Sequence, residues 1–204
     1  MELKELFNKP RTIGLCADVN NGKSNLIYHL LTELQKDYKF QVYTFGLRCP
    51  VPGTNEIFSV EQLEQITNSV IIIDEMFSLF DLDDRQIKKQ IETTLRLIHH
   101  NNNVLLLCGL GENFKKFIGA KLDALIFKKV TIAELINGGR VKRIITNYAG
   151  AERGHTLVKL EKSEAIIYDG KGYNKIEIPY MSQYDSKAGN VSILVEKSVL
   201  EKVV

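Results

Sequence analysis

One stretch limits the folds open to this chain more than any other: Ala17-Asp18-Val19-Asn20-Asn21-Gly22-Lys23-Ser24. The apolar run Thr12-Ile13-Gly14-Leu15-Cys16 leads into it, and Asn25-Leu26-Ile27-Tyr28-His29-Leu30-Leu31 leads out. Apolar strand, tight polar loop closing on Gly-Lys-Ser, then helix is the setting that a Walker A phosphate loop requires. In such a loop successive backbone N–H groups turn inward as an anion-binding nest, and the helix adds its positive N-terminal end. Gly22 lets the backbone approach a phosphate with no Cβ in the way. Lys23 can reach β- and γ-phosphates, and the Ser24 hydroxyl can sit on Mg²⁺. The first position is Ala17 instead of Gly, a common variant of the motif. The expected nucleotide-binding set is Asp18, Val19, Asn20, Asn21, Gly22, Lys23, Ser24 and Asn25.

A second segment answers the first. Ser69-Val70-Ile71-Ile72-Ile73-Asp74-Glu75 is a run of branched apolar residues ending in two acids. Such a run suits a strand buried on both faces, and its end lies at the carboxyl edge of the sheet, where ligands bind in open α/β folds. This is a Walker B pattern. Asp74 is expected to hold the Mg²⁺ shell, and Glu75 to act as general base on the attacking water.

The remaining chain supplies a scaffold of matching kind. With 204 residues and 44% hydrophobic content it fits one α/β domain, with a core over about 11–150 and a C-terminal part over about 151–204. A net charge of +2 argues neither for nor against nucleic acid, so any such surface must be a local patch. Cys16, Cys49 and Cys108 are too few and scattered for a disulfide framework or zinc site. The opening Glu2-Leu3-Lys4-Glu5 has no signal-peptide character, and the apolar runs are too short to span a bilayer. The expectation is a soluble, intracellular protein without membrane insertion.

Periodicity predicts one or two helical turns before Pro10, a strand at 12–16, and a helix over 23–36 with Leu26, Ile27, Leu30, Leu31 and Leu34 inward. Strands follow at 40–45, 69–73, 104–108 and 124–127. A loop is expected at 47–55, and a short helix over 60–67 with Ser59 as N-cap. A long helix is expected over 81–100, with Ile87, Ile91, Leu95 and Ile98 inward. Residues 131–137 and 139–148 read as helices. The alternating segments 156–160, 165–168 and 175–178 read as antiparallel strands. Beyond Pro179 the chain reads as polar until an amphipathic stretch at 191–204.

No Asn-Lys-x-Asp guanine reader is present where a GTPase needs one, since Asn8-Lys9 runs into Pro10-Arg11. Glu75 after the Walker B Asp favours hydrolysis over small-molecule phosphoryl transfer. A strand between the two motifs and another after the second suit an α/β fold of RecA-like type. The expected architecture is a RecA-like P-loop NTPase core with a mainly parallel sheet and appended antiparallel C-terminal strands. A compact core of this kind usually works as a ring.

On these residues the chain resembles the FtsK–HerA superfamily of DNA-pumping ATPases, and within it the viral genome-packaging branch found in turreted icosahedral archaeal viruses. The resemblance runs from about Arg11 to Tyr168. His99-His100-Asn101-Asn102-Asn103 before 104–107 is similar to the Arg-His-x-Asn motif ahead of the sensor strand of packaging ATPases. Gly150-Ala151-Glu152-Arg153-Gly154-His155 is similar to a turn before that superfamily's last strands. Two departures stand out: His99 replaces the usual arginine, and Gly109 or Leu110 stands where a polar sensor is expected, so that the sensor is either moved to Glu112 or Asn113 or missing.

The resemblance implies an ATP-hydrolysing, Mg²⁺-dependent motor that moves double-stranded DNA into a capsid. It further implies a homo-oligomeric ring, hexamer or pentamer, a capsid or vertex protein as partner, and a place in the host cytoplasm or with the virion. Arg85, or Arg96 as fallback, is the expected arginine finger. Lys115, Lys116 and Lys121 form one basic cluster, and Lys128, Lys129, Arg140, Lys142 and Arg143 form a second, the candidate for DNA contact. A loader or remodelling ATPase acting on a protein, or a nucleotide-dependent assembly protein with weak hydrolysis, are the alternatives.

Overall fold

The computed structural model describes residues 3–17, 20–36, 40–74, 85–109, 121–130, 156–169 and 171–184. Among these residues, eight strands form one sheet. They are β1 (Arg11–Cys16), β2 (Gln41–Phe45), β3 (Asn55–Glu56), β4 (Ser69–Ile73), β5 (Val104–Gly109), β6 (Ala124–Phe127), β7 (Glu164–Tyr168) and β8 (Tyr173–Glu177). Their spatial order is β3-β2-β4-β5-β1-β6-β7-β8. β3 through β6 in that order pair in parallel, while β7 pairs antiparallel with both β6 and β8. The expected mainly parallel sheet with antiparallel C-terminal strands is the observed one.

The apolar runs sit where their composition directs them. In β4, Ile71 and Ile73 face one core and Val70 and Ile72 the other; in β5, Leu105 and Leu107 are divided in the same way from Leu106 and Cys108. A strand apolar at every position is thus buried on both faces. On one face α1 (Lys23–Lys36) lays down Leu26, Ile27, Leu30, Leu31 and Leu34, joined by Leu6 and Phe7 of a 3-10 turn at Leu3–Phe7. On the other, α3 (Arg85–Leu97) and the residue following it contribute Ile91, Leu95 and Ile98, beside Leu63 of α2 (Val60–Leu63).

Several local expectations change. α2 is a single turn, not 60–67; Gln62 Oε1 accepts from Phe58 N and Ser59 N and closes it at its start. The loop over 47–55 ends in the two-residue edge strand β3, paired with Tyr43 and Thr44. Residues 156–158 form a helical turn instead of a strand, because the buried pair is Leu157 and Leu160, three apart and therefore on one helical face. The chain after Pro179 is not simply polar: Met181 and Tyr184 pack against the α1 core. The helices expected at 131–137 and 139–148 and the stretch 191–204 lie outside the described residues. All three cysteines are buried thiols, and among the described residues no helix is long and apolar enough to cross a membrane.

Candidate nucleotide site

Parallel pairing brings the ends of β1, β4, β5 and β6 to one edge: Cys16 lies level with Gly109 and Phe127, and Ile73 level with Leu107. The phosphate-loop strand and the Walker B strand are not neighbours, since β5 runs between them. That spacing lets a side chain from each lean over the end of β5. Lys23 Nζ lies 2.9 Å from Asp74 Oδ1, with both side chains about one-tenth exposed. Asp74 is held there by its own N–H, which donates to the Phe45 carbonyl at 2.9 Å. Two motifs some fifty residues apart in sequence therefore meet as an ion pair.

The loop has the backbone its sequence demands. Asn20 and Gly22 take positive φ, 62° and 82°, and the Gly22 carbonyl accepts the Leu26 N–H at 3.1 Å to start α1. A Cβ on Gly22 would stand 2.8 Å from the Lys162 carbonyl and 3.3 Å from Lys128 Cε and Nζ. Conformation and space both exclude a side chain there.

Lys128 is why that space is full. It follows β6, is fully buried, and donates from Nζ to the Lys162 carbonyl at 2.5 Å. Burial pushes its pKa from the ordinary 10.5 down to about 8, against a smaller opposing pull from Glu164. Its neighbour Lys129 accepts on its carbonyl the Asn21 Nδ2 donor at 3.1 Å and lines the cleft beside the loop. Together these contacts bind the phosphate loop to the end of β6 and to the turn before β7.

This placement corrects the expectation that Lys128 contacts DNA. A lysine with no exposed surface, spent on an internal carbonyl, presents no charge to a phosphate backbone. Lys129, by contrast, is only half-buried and lines the cleft beside the phosphate loop. His99, read as occupying the place of a functional arginine, lies beside Asp123 with Nε2 3.3 Å from Oδ2, an oxygen that also accepts the Thr12 N–H at 2.7 Å. That is the amino edge of the sheet, opposite Lys23. Asn103, from the same segment, is buried and ties Ser69 N (3.0 Å) to the Ile66 carbonyl (2.6 Å), fixing the start of β4. The segment 99–103 is thus a clamp that sets the position of the Walker B strand.

Arg85 and Arg96 are both exposed on α3. Asp18, Val19, Glu75, Glu112, Asn113, Lys115, Lys116, Arg140, Lys142, Arg143 and the turn at 150–155 lie outside the described residues. For Mg²⁺ the donors present are of the right kind. The Ser24 hydroxyl is exposed at the first turn of α1. Asp74 Oδ1 is buried and ion-paired with the Lys23 ammonium, and among the described residues it accepts no hydrogen bond. Hard oxygen donors with spare capacity suit Mg²⁺.

A cleft of about 740 Å³ opens from Asn20, Asn21, Gly22 and Ser24 along α1. Its far wall is Ile178, at the end of the expected strand 175–178, with Tyr180, Met181 and Tyr184, which periodicity alone did not single out. The one available signal was Asn25, directly after Gly-Lys-Ser, whose amide is engaged by this wall.

Fold and paired motifs together define the class: this is the fold of a P-loop ATPase, RecA-like in its core. Among solved structures, the genome packaging NTPase B204 of Sulfolobus turreted icosahedral virus 2 in complex with sulfate matches with TM-score 0.64 and 19% identity, over 83% of this chain and 98% of that one. B204, the DNA-packaging ATPase of Sulfolobus turreted icosahedral virus, matches with TM-score 0.63 and 16% identity, over 85% and 100%. The pCW3 conjugation coupling protein TcpA, in its monomer form with ATPγS, matches with TM-score 0.64 and 14% identity, over 86% of this chain and 62% of that one. At such identities the likeness is one of fold, and at that level it agrees with the resemblance read from the motifs. No protein-family model matches the sequence, and no curated protein matches it either.

Proposed function

We propose that this chain is a Mg²⁺-dependent ATPase that drives double-stranded DNA into a viral capsid, acting as a homo-oligomeric ring docked on a capsid or vertex protein. The observation that carries the ATPase reading is the pairing of Lys23 with Asp74 at the carboxyl edge, over the end of β5. The pair neutralises two buried charges that nucleotide binding would separate. Lys23 turns to the β- and γ-phosphates, and Asp74 with Ser24 would hold Mg²⁺. When bound, the ion neutralises charge on the phosphoryl oxygens. Glu75, the residue after Asp74, accepts the proton of the attacking water. An arginine from the next subunit meets the charge developing on the γ-phosphate.

The cargo reading is supported by likeness of fold to genome-packaging and conjugation ATPases. Lys129, Arg140, Lys142 and Arg143 are the remaining candidates for backbone contact, which needs no base-reading motif. The deciding experiment is the ATPase rate with and without duplex DNA. Stimulation by DNA of any sequence is expected. Turnover indifferent to DNA would favour a protein remodeller, and nucleotide binding without turnover an assembly factor.

A further inference from the structure

The cleft wall after β8 is built onto the phosphate-binding helix. Asn25 Nδ2 donates to the Pro179 carbonyl at 2.9 Å, and Met181 N donates to Asn25 Oδ1 at 2.7 Å. One amide, directly after Gly-Lys-Ser, thereby grips the chain on both sides of Tyr180. Three residues further on, Tyr184 stacks on Tyr28 of α1, with ring centroids 4.5 Å apart and planes 12° from parallel. The Tyr184 N–H donates to the Met181 carbonyl at 3.1 Å. Residues 178–184 are therefore registered to the same helix that starts at Lys23.

Between these fixed points Tyr180 is 67% exposed and lines the cleft that begins at Asn20 and Gly22. Ile178 and Met181 flank it there. Asn20, Gly22 and Ser24, which flank Lys23 in the same loop, line one end of this cleft, so a nucleotide with its phosphates on the loop has the rest of the cleft open to its sugar and base. A volume of about 740 Å³ falls within the range of small-molecule sites.

We propose that Tyr180 is the platform on which the nucleobase stacks, with Asn25 as the positioning residue that sets the distance between platform and phosphate loop. The proposal rests on the nucleotide reading above and adds where the base goes. Stacking on an aromatic face tolerates every base, because every base has a π-face. Discrimination among nucleoside triphosphates is then weak, and purines bind better than pyrimidines by virtue of larger stacked area.

The test is calorimetric titration of the full chain with two Mg²⁺-complexed probes, a non-hydrolysable ATP analogue and inorganic tripolyphosphate. Tyr180→Ala is expected to weaken the analogue about tenfold and leave tripolyphosphate within about twofold of wild type. Tyr180→Phe is expected to match wild type for both. Retained tripolyphosphate binding also shows that the Ala variant is folded at the loop. An analogue affinity unchanged by Tyr180→Ala overturns the platform. So does equal weakening of both probes, which would make Tyr180 a support for the loop. If wild type binds neither probe, the phosphate-loop reading itself fails, and the platform with it.

Discussion

Lys23 and Asp74 neutralise each other at the carboxyl edge, so removal of either leaves a buried charge without its partner. Lys23→Ala is expected to weaken ATP and lower hydrolysis by at least about 10²-fold, the scale of losing one transition-state donor; steady-state rates at saturating Mg·ATP check it. Glu75→Gln keeps shape but not basicity, and is expected to bind ATP normally while hydrolysis falls by roughly 10²–10⁴. Lys128 makes a prediction about pH. Its folded pKa of about 8 lies below the ordinary 10.5, so below pH 8 both folded and unfolded states hold the proton and the cost of burial is fully present. Between pH 8 and 10.5 the folded state has released a proton that the unfolded state keeps, and stability rises with pH. Lys128→Met lacks that rise. In denaturant melts across this window its stability gains less than wild type, by up to about 1.4 kcal/mol per pH unit.

At the scale of elements, the direction of α3 separates the two arginines. The helix connects the carboxyl end of β4 with the amino end of β5, so it runs from the nucleotide edge of the sheet to the opposite one. Arg85 opens it and Arg96 lies in its last turn, roughly 16 Å further along at a rise of about 1.5 Å per residue. Arg85 is therefore the better candidate for the proposed finger, and its loss is expected to lower the rate by about 10³–10⁵. Mixing inactive Lys23→Ala with inactive Arg85→Ala under conditions of ring formation should restore activity, because some interfaces then pair an intact loop with an intact arginine. A mixture that stays inactive while both variants assemble removes Arg85 from the role. The helical elements themselves were legible from periodicity where they were long: the inward residues of α1 are those expected. Short elements were legible only in part: Ser59 opens α2 at the expected residue, but the helix stops after one turn, and 156–158 is a helical turn where alternation pointed to a strand.

For the whole molecule, a motor that grips any sequence should bind duplex DNA through phosphates. Affinities for unrelated duplexes are expected to be alike and to fall steeply with salt. Replacing Arg140, Lys142 and Arg143 together is expected to flatten the log–log salt slope by about 0.9 for each phosphate that is no longer neutralised; Lys128→Met, with no exposed charge to lose, leaves it unchanged. Filter binding at several salt concentrations measures both. An unaltered slope in the triple variant would move the DNA surface elsewhere.

Sequence alone determined what depends on local pattern. Gly22, Lys23 and Ser24 between a strand and a helix specify a phosphate loop because backbone conformation and helix start are set within a few residues. The all-apolar β4 specifies a strand covered on both faces for the same reason. Tertiary structure decided everything that depends on which strands become neighbours. It set β5 between the two motifs, so that Lys23 and Asp74 meet above its end. It turned Lys128 from a surface cation into a buried one, because β6 ends against the loop and the turn at 161–163 closes over it. It also carried residues 178–184 back onto α1, where Asn25 could take hold of them. A charge count and a hydropathy pattern are blind to such meetings, since the side chains that meet come from distant points along the chain.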